Sequence, residues 1–530
     1  MEWEIINADG KAEMEKYHVS SILAKLLEAS DLDEKSVMEL LDTDDTLTTS
    51  KDPCVLKCVK RILSARLQRE KIFIGGDYDA DGICSTAIMK KTLDLLGIEN
   101  GYYIPDRFKE GYGLAAKTVE LAYQKGYRII MTVDNGVKAQ EAIQKAKELG
   151  MEMIITDHHR IEEKVDADIV VHPDYMHERY AYLSGAGVAL EISRNLIGEN
   201  DELTAMAAVA HIADVMPLWR ETRKIVKKGM RILRQGKPRS LYALLYSGTQ
   251  VNETSIAFQI VPKLNSIGRM NDLSNVNTVV RYLLLENEDS INNGAMQINQ
   301  VNEMRKKLSQ SMSEEAARLC NDDDILIVYK ETFHEGICGL AAGRLAEQFK
   351  KPVLVFARNG EIWKGSGRSI PGFDLFSFFS DFSELCAFGG HEGAVGLSVP
   401  QEQFASFQMH VKEKAGSMEM PSVDRHERAI FLRADEISFD AVKDLEQLSP
   451  YPKEIARPYF AMETKGCVKT YETSKVVRYA LACPYADLNG ILYRRKDVEM
   501  IDHPELMIGT LGINRYRNQI SCQLEIEYMK

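Results

Sequence analysis

The pattern that most constrains this fold is a set of short apolar runs, each ending on an acidic or histidine-bearing motif. Ile72-Phe73-Ile74 leads into Asp77-Tyr78-Asp79-Ala80-Asp81-Gly82, and Ile129-Ile130-Met131-Thr132-Val133 into Asp134-Asn135-Gly136. Met153-Ile154-Ile155-Thr156 leads into Asp157-His158-His159, and Ala210-His211-Ile212-Ala213 ends on Asp214. Apolar runs of this length read as buried parallel strands. Parallel strands deliver their carboxyl ends to one edge, where open α/β folds bind ligands. Carboxylates and imidazoles gathered there repel one another or go unpaired unless cations sit between them. The economical reading is a divalent-metal centre, binuclear.

Taken singly, each motif has a plainer explanation. An Asp at a strand end caps a helix or forms a turn, and Asp-Gly or Asn-Gly is ordinary turn punctuation. Asp77 to Gly82 also overlaps the start of an EF-hand loop. The twelfth position of that loop holds Ile88 instead of Glu, and a strand pattern precedes it where a helix is required. Four motifs in this order, each after an apolar run, make coincidence a poor account.

With these residues in place, the chain resembles the DHH phosphoesterase superfamily, through the triplet Asp157-His158-His159. Within it, the chain is most similar to the RecJ-type single-strand-specific exonucleases. Ile104-Pro105-Asp106-Arg107, Gly111-Tyr112-Gly113-Leu114 and Asp214-Val215-Met216-Pro217-Leu218 carry that narrower likeness. So do Leu264-Asn265-Ser266-Ile267-Gly268-Arg269, His334-Glu335-Gly336-Ile337-Cys338-Gly339, Gly365-Ser366-Gly367-Arg368-Ser369 and Gly389-Gly390-His391. The likeness spans nearly the whole chain and weakens after about residue 420.

The resemblance implies roles. Asp134 bridges two metal ions. Asp79 binds one, with Asp77 nearby, and Asp81, His158 and Asp214 serve the other. Mixed imidazole and carboxylate ligation suits Mn2+, with Mg2+ as the other candidate. Asp157 orients a ligand histidine through its second nitrogen, and His159 faces the scissile phosphate. His211 reads as a packed helix histidine. Arg107, Arg269, Ser366, Arg368 and His391 match positions that hold the substrate's phosphates. A bare turn is the plainer reading of Gly365-Ser366-Gly367. Pyrophosphate-cleaving relatives carry a histidine four residues before the match to Asp79; Gly75 stands there in this chain.

Composition allows several domains: 530 residues, 45% hydrophobic. A formal charge of -13 excludes a generic polycation, but local patches still decide nucleic-acid contact. No apolar run has transmembrane length, and Met1-Glu2-Trp3-Glu4 lacks a signal peptide's basic start, so a cytoplasmic protein without membrane contact is expected. The nine cysteines are scattered and without zinc-site spacing; neither a disulfide nor a structural zinc is expected.

The expected architecture is α/β. Residues 1–45 form an N-terminal helical segment, and 46–285 a parallel-sheet DHH catalytic domain. A long connecting helix over 286–320 leads to a smaller α/β DHH-associated, substrate-binding domain over 321–416. An OB-like nucleic-acid-binding β-barrel follows over 424–530. Arg220 to Arg239 is the strongest basic run. It reads equally as a solvated helix face or as a phosphate-tracking surface. Arg515, Tyr516 and Arg517 read as turn residues, with a stacking surface for single strands as the alternative.

The resemblance implies a metal-dependent exonuclease that trims single-stranded DNA from the 5′ end to mononucleotides, in DNA repair and recombination. A helicase or a single-strand-binding protein is the partner class it suggests. Two other readings stand beside it. One is a phosphodiesterase for short oligonucleotides or cyclic dinucleotides, and the other is a non-catalytic replication scaffold of DHH descent.

Overall fold

The computed structural model describes residues 2–106, 113–421, 426–455, 457–465, 467–494, 500–516 and 519–530. It divides into two compact units. The first comprises residues 1–105, 112–258 and 425–530; the second comprises 106–111 and 259–424.

The first unit opens on a strand, β1 (Glu2–Ile6), followed by helices Lys11–Tyr17, Ser21–Glu28 and Glu34–Leu41. A helical preface was expected here, and the strand corrects it. Its signal is visible in hindsight, since Glu2-Trp3-Glu4-Ile5 alternates with period two. A five-stranded parallel sheet follows, built from β2 (Ile72–Gly75), β3 (Asn100–Tyr103), β4 (Ile129–Val133), β5 (Glu152–Thr156) and β6 (Ile169–Val171). Its order is β3-β2-β4-β5-β6. Every residue of β2 and β4 is buried, which is why these strands lack polar alternation. The chain leaves β2 for β3 on one side and returns to β4 on the other. The switch point therefore lies between β2 and β4, where open α/β sheets leave a crevice. Helix Ala80–Leu95 buries Ile83, Ala87, Ile88, Met89 and Leu93 completely. Each large apolar side chain so buried contributes about 1.5–3 kcal/mol.

The second unit holds β7 (Leu326–Lys330), β8 (Val353–Asn359), β9 (Ile362–Arg368), β10 (Ala387–His391) and β11 (Ala394–Pro400) in the order β10-β11-β9-β8-β7. Only β7 and β8 are parallel. Phe356, Phe379, Phe404 and Phe407 pack its core, edge-on and stacked. Helix Glu288–Leu319 has 32 residues, about 48 Å at 1.5 Å per residue. Asn287 caps it, accepting from Ser290 N at 2.9 Å. Residues 259–285 were grouped with the catalytic domain by sequence. They lie in this unit, where Met270 shares an apolar cluster with Met312 and Leu326.

The rest of the first unit is an eight-stranded sheet. It adds β12 (His426–Phe431), β13 (Tyr459–Glu463), β14 (Val468–Glu472), β15 (Val476–Leu481), β16 (Leu488–Tyr493), β17 (Leu506–Tyr516) and β18 (Gln519–Met529). The order is β1-β12-β13-β17-β18-β16-β15-β14. Inward residues from β13 to β15, such as Phe460, Leu524 and Tyr479, share one core with Ile22, Leu26 and Leu40 of the N-terminal helices. Buried Lys25 pairs with Glu436 at 2.8 Å across that junction. Among the described residues, no helix is long and apolar enough to cross a membrane.

Candidate metal centre

The expected ligands converge within the first unit, at the switch point. Asp77 follows β2, and Asp79 caps helix Ala80–Leu95, accepting from Asp81 N at 3.0 Å and Gly82 N at 3.1 Å. Asp134 leaves β4 at φ 60°. That left-handed conformation costs most L residues roughly 1–2 kcal/mol, and Asp is among the few that visit it routinely. Gly185 is required beside it, because a Cβ there would lie 2.5 Å from Asp134 Oδ1. Asp157 and His158 follow β5. Asp214 does not follow a strand: it ends helix Asp201–Ala213. A fully buried helix rich in Ala has no polar stripe, so its apolar run cannot be told from a buried strand by periodicity. The chain then turns through Val215 at φ 54°, a conformation rare for a β-branched residue and typical of functional sites.

Three ligand sets lie close enough to share a cation, with atoms in each within 4.8 Å: Asp77, Asp79 and Asp134; Asp81, His158 and Asp214; and Asp134, His158 and His159. His158 Nε2 is 3.2 Å from Asp134 Oδ1 and 3.6 Å from both Asp81 Oδ2 and Asp214 Oδ2. None of these approaches makes a hydrogen bond, and both His158 Nε2 and Asp134 Oδ1 are buried without a hydrogen-bond partner. Nor is this an ion pair at neutral pH. Burial pushes His158 down to about 4. Burial also pushes Asp134 well above the usual carboxylate range, helped by the charges of Asp81, Asp79, Asp77 and Asp157. Asp214, 36% exposed at its side chain, is raised to about 7 by burial and by Asp81 and Asp79. A neutral imidazole lone pair and repelling carboxylate oxygens facing one space fit divalent cations, which would remove that repulsion.

The surrounding hydrogen bonds fix this geometry. Asp157 Oδ1 accepts from His158 N at 2.8 Å, His159 N at 3.1 Å and the His159 ring Nδ1 at 2.8 Å, and Oδ2 from Val137 N at 3.0 Å. The histidine whose ring it orients is His159. Burial lowers the His159 pKa, but the hydrogen bond and charge of Asp157, with Asp214 and Asp77, outweigh it and lift it to about 9. The sequence reading missed Ser184-Gly185-Ala186, at the start of helix Gly185–Ile197. Ser184 Oγ and Ala186 N donate to Asp81 Oδ1 at 3.0 and 2.8 Å, and Gly185 N donates to Oδ2 at 2.8 Å. The signal was a run of small residues after a turn, Ser-Gly-Ala-Gly. His211 is fully buried, its Nδ1 bonded to Ala207 O at 2.6 Å, as a packed helix histidine.

The expected phosphate-holding residues belong to the second unit, except that Arg107 lies outside the described residues. Ser366 and Arg368 are in strand β9, which corrects the turn. Gly365 and Gly367 serve sheet packing: a Cβ would meet Phe356 at 2.3 Å and Val395 at 2.7 Å respectively. Gly339 of helix Glu335–Phe349 lets that helix approach, since a Cβ there would lie 3.1 Å from Arg368 Nη2 and 3.5 Å from Ser366. Arg269 ends helix Val261–Arg269. His391 ends β10, exposed, its Nδ1 accepting from Gly393 N at 3.3 Å.

The basic run forms helix Arg220–Arg234, and its cations are largely paired inside the protein. Lys224 meets Asp42 and Asp44 at 3.3 and 3.4 Å, Lys228 meets Glu199 at 2.6 Å, and Arg231 meets Asp45 at 2.9 Å. Arg223 is buried, donating to Leu448 O at 2.8 Å and to Pro450 O. This favours the structural reading of the run over phosphate tracking.

The chain matches the N-terminal domain of the DHH family over residues 71–216, the DHHA1 domain over 322–417 and the RecJ OB domain over 430–528. It is 31% identical to the single-stranded-DNA-specific exonuclease RecJ of Bacillus subtilis, covering 99% of this chain and 70% of that protein. It is 31% identical to the protein of that name from Escherichia coli, covering 77% of each. In fold it resembles RecJ of Thermus thermophilus in complex with Mn2+, with a TM-score of 0.84 at 22% identity, over 100% of this chain and 79% of that one. An exonuclease RecJ bound to manganese aligns with a TM-score of 0.63 at 27% identity, over 71% of this chain and 97% of that one.

Proposed function

Since the chain belongs to the RecJ family of single-stranded-DNA-specific exonucleases, we propose that it hydrolyses single-stranded DNA with two divalent cations, Mn2+ or Mg2+. The observation that carries this is the buried, unpartnered pair of atoms His158 Nε2 and Asp134 Oδ1 amid four further carboxylates. Asp77, Asp79 and Asp134 would hold one ion, and Asp81, His158 and Asp214 the other, with Asp134 shared. Such a pair of ions polarises phosphoryl oxygens and supplies a nucleophile at neutral pH. Asp157 fixes the His159 ring and keeps it protonated, so His159 presents positive charge to a phosphate in a site that otherwise gathers anions. Asp81, held by three donors at the start of helix Gly185–Ile197, stays fixed while its Oδ2 faces His158.

The finer reading is a cytoplasmic 5′-to-3′ exonuclease that releases 5′-mononucleotides during DNA repair and recombination. Its strands would be supplied by a helicase or a single-strand-binding protein. Arg107, Arg269, Ser366, Arg368 and His391 would hold the strand's phosphates. The complete ligand set disfavours a scaffold without catalysis. A C-terminal OB domain on a chain of 530 residues disfavours a short-oligonucleotide phosphodiesterase. The test is digestion of 5′-labelled and 3′-labelled single strands with Mn2+. Mononucleotides appearing first from the 5′ label support the reading; equal rates on blunt duplex and single strands overturn it. Arg368→Ala then probes polarity. If its guanidinium holds the terminal phosphate, the preference for 5′-phosphoryl over 5′-hydroxyl strands falls roughly ten- to a hundredfold, the worth of one charge-assisted hydrogen bond.

A further inference from the structure

The turn Asp157-His158-His159 is braced by the end of β6, which the mechanism has not used. Asp157 N donates to Val171 O at 3.2 Å. The next residue, His172, is 2% exposed. Its Nε2 is 2.9 Å from His159 O. A carbonyl oxygen can only accept, so Nε2 carries the ring proton, and Nδ1 keeps its lone pair. Nδ1 accepts from Asp174 N at 3.1 Å and so caps the short turn Pro173–Tyr175.

A cap alone does not call for this side chain. Ser, Thr, Asp and Asn accept from a turn amide just as well, and none of them carries a second polar atom as far out as Nε2. His177 caps the following turn in the same way, accepting from Arg179 N at 3.2 Å. Its ring is exposed and, among the described residues, makes no second hydrogen bond. At His172 the ring is buried, and its far nitrogen is spent on His159. No helix or strand takes up the chain from His159 to Asp168, so the His159 carbonyl finds its partner in a side chain. His159 is thus held at three points. Its backbone N and ring Nδ1 both meet Asp157 Oδ1, at 3.1 and 2.8 Å, and its carbonyl meets His172.

We infer that His172 is a positioning residue for strand cleavage: by holding the His159 carbonyl through Nε2, it keeps the His159 side chain aimed at the phosphate. It acts through His159 and is assigned no contact with the strand. The inference rests on the reading that His159 presents positive charge to the phosphate. Aim matters for such a group, because a misplacement of about 1 Å can cost a hundredfold in rate.

The test is steady-state cleavage of a labelled single strand by the full chain with Mn2+, beside a Mn2+ titration followed by thermal unfolding. His172→Ala lowers kcat about tenfold or more, while KM and the Mn2+ midpoint stay within about twofold of wild type. His172→Gln, whose amide nitrogen reaches about as far as Nε2, brings kcat back to within about threefold. His172→Leu fills the space without a donor and loses kcat as the alanine variant does; it carries the test if that variant does not fold. A merely structural histidine would instead raise KM, weaken Mn2+ and lower the unfolding temperature together, with no rescue by glutamine. That pattern, or an unchanged kcat in the alanine or leucine variant, would overturn the inference. If wild type leaves the strand uncut, the proposed function itself fails, a distinct result.

Discussion

Around Arg194 and around His158 the first unit buries carboxylates in two different ways. Glu191 accepts from Arg194 Nη1 at 2.7 Å and Ser50 N at 2.9 Å, and Glu221 accepts from Thr48 N at 2.6 Å. Arg194 also donates to Leu47 O and Thr48 O, at 3.0 and 3.1 Å. Buried carboxylates there clamp a connecting segment, and the chain supplies both donors and a counter-charge. Around His158 it supplies donors to Asp81, Asp79 and Asp157 but leaves Asp134 Oδ1 facing a lone pair. The difference separates structure from function. Glu191 is given a counter-charge by Arg194, whereas Asp134 Oδ1 is left without a hydrogen-bond partner.

The largest expected effect breaks the second arrangement. Asp134→Ala abolishes cleavage, because both ligand sets that include it lose a member. Turnover measured with Mn2+, beside a strand-binding titration, checks this. Activity within a few-fold of wild type would sink the two-ion assignment. Next, Arg194→Met leaves Glu191 without its counter-charge and destabilises by about 3–5 kcal/mol, as broken buried pairs do. Asp134→Asn should do the opposite in cation-free protein, raising the midpoint of urea unfolding. Equal losses of stability from both would erase the contrast.

Mn2+ at a hundred times its Kd should stabilise wild type by about 2.7 kcal/mol and stabilise Asp134→Ala markedly less. Thermal unfolding with and without the ion reads both. The smallest effect concerns Glu221, whose carboxyl burial raises to about 7 from an ordinary 4.5. Its folded form holds a proton that its unfolded form has lost, so its contribution to stability falls as pH rises from about 4.5 through 7. Glu221→Gln should flatten that part of the pH–stability curve. A slope unchanged by the substitution would mean that Glu221 stays ionised throughout.

Much of the centre was legible because its chemistry is local. Asp77, Asp79, Asp134, Asp157 and His158 each follow a strand written as a mainly apolar run, and parallel topology brings such ends together. Asp214 was legible as a member of the cluster but not as a helix end. Ser184 and Gly185 were legible only as small residues after a turn, not as donors to Asp81. Their role depends on a helix that docks its first turn on Asp81, about a hundred residues earlier in the chain, and pairing at that distance leaves no periodic trace. The glycines flanking Ser366 were misread for a related reason. What excludes a side chain at Gly365 is the ring of Phe356 on the adjacent strand, and a turn reading considers only sequence neighbours. The basic helix Arg220–Arg234 shows a further limit, since its partners Asp42, Asp44 and Asp45 lie far upstream.

The parallel pairing of β1 with β12 sets a schedule for the nascent chain. Trp3 aligns with Glu427 and Ile5 with Ala429, so the first strand waits for a partner translated more than four hundred residues later. At 5–20 residues per second that wait is roughly 20 to 85 s. Throughout it, Ile22, Leu26 and Leu40 have no C-terminal core to enter. The apolar faces of the N-terminal helices therefore stay without their packing partners until the last strands of the sheet exist.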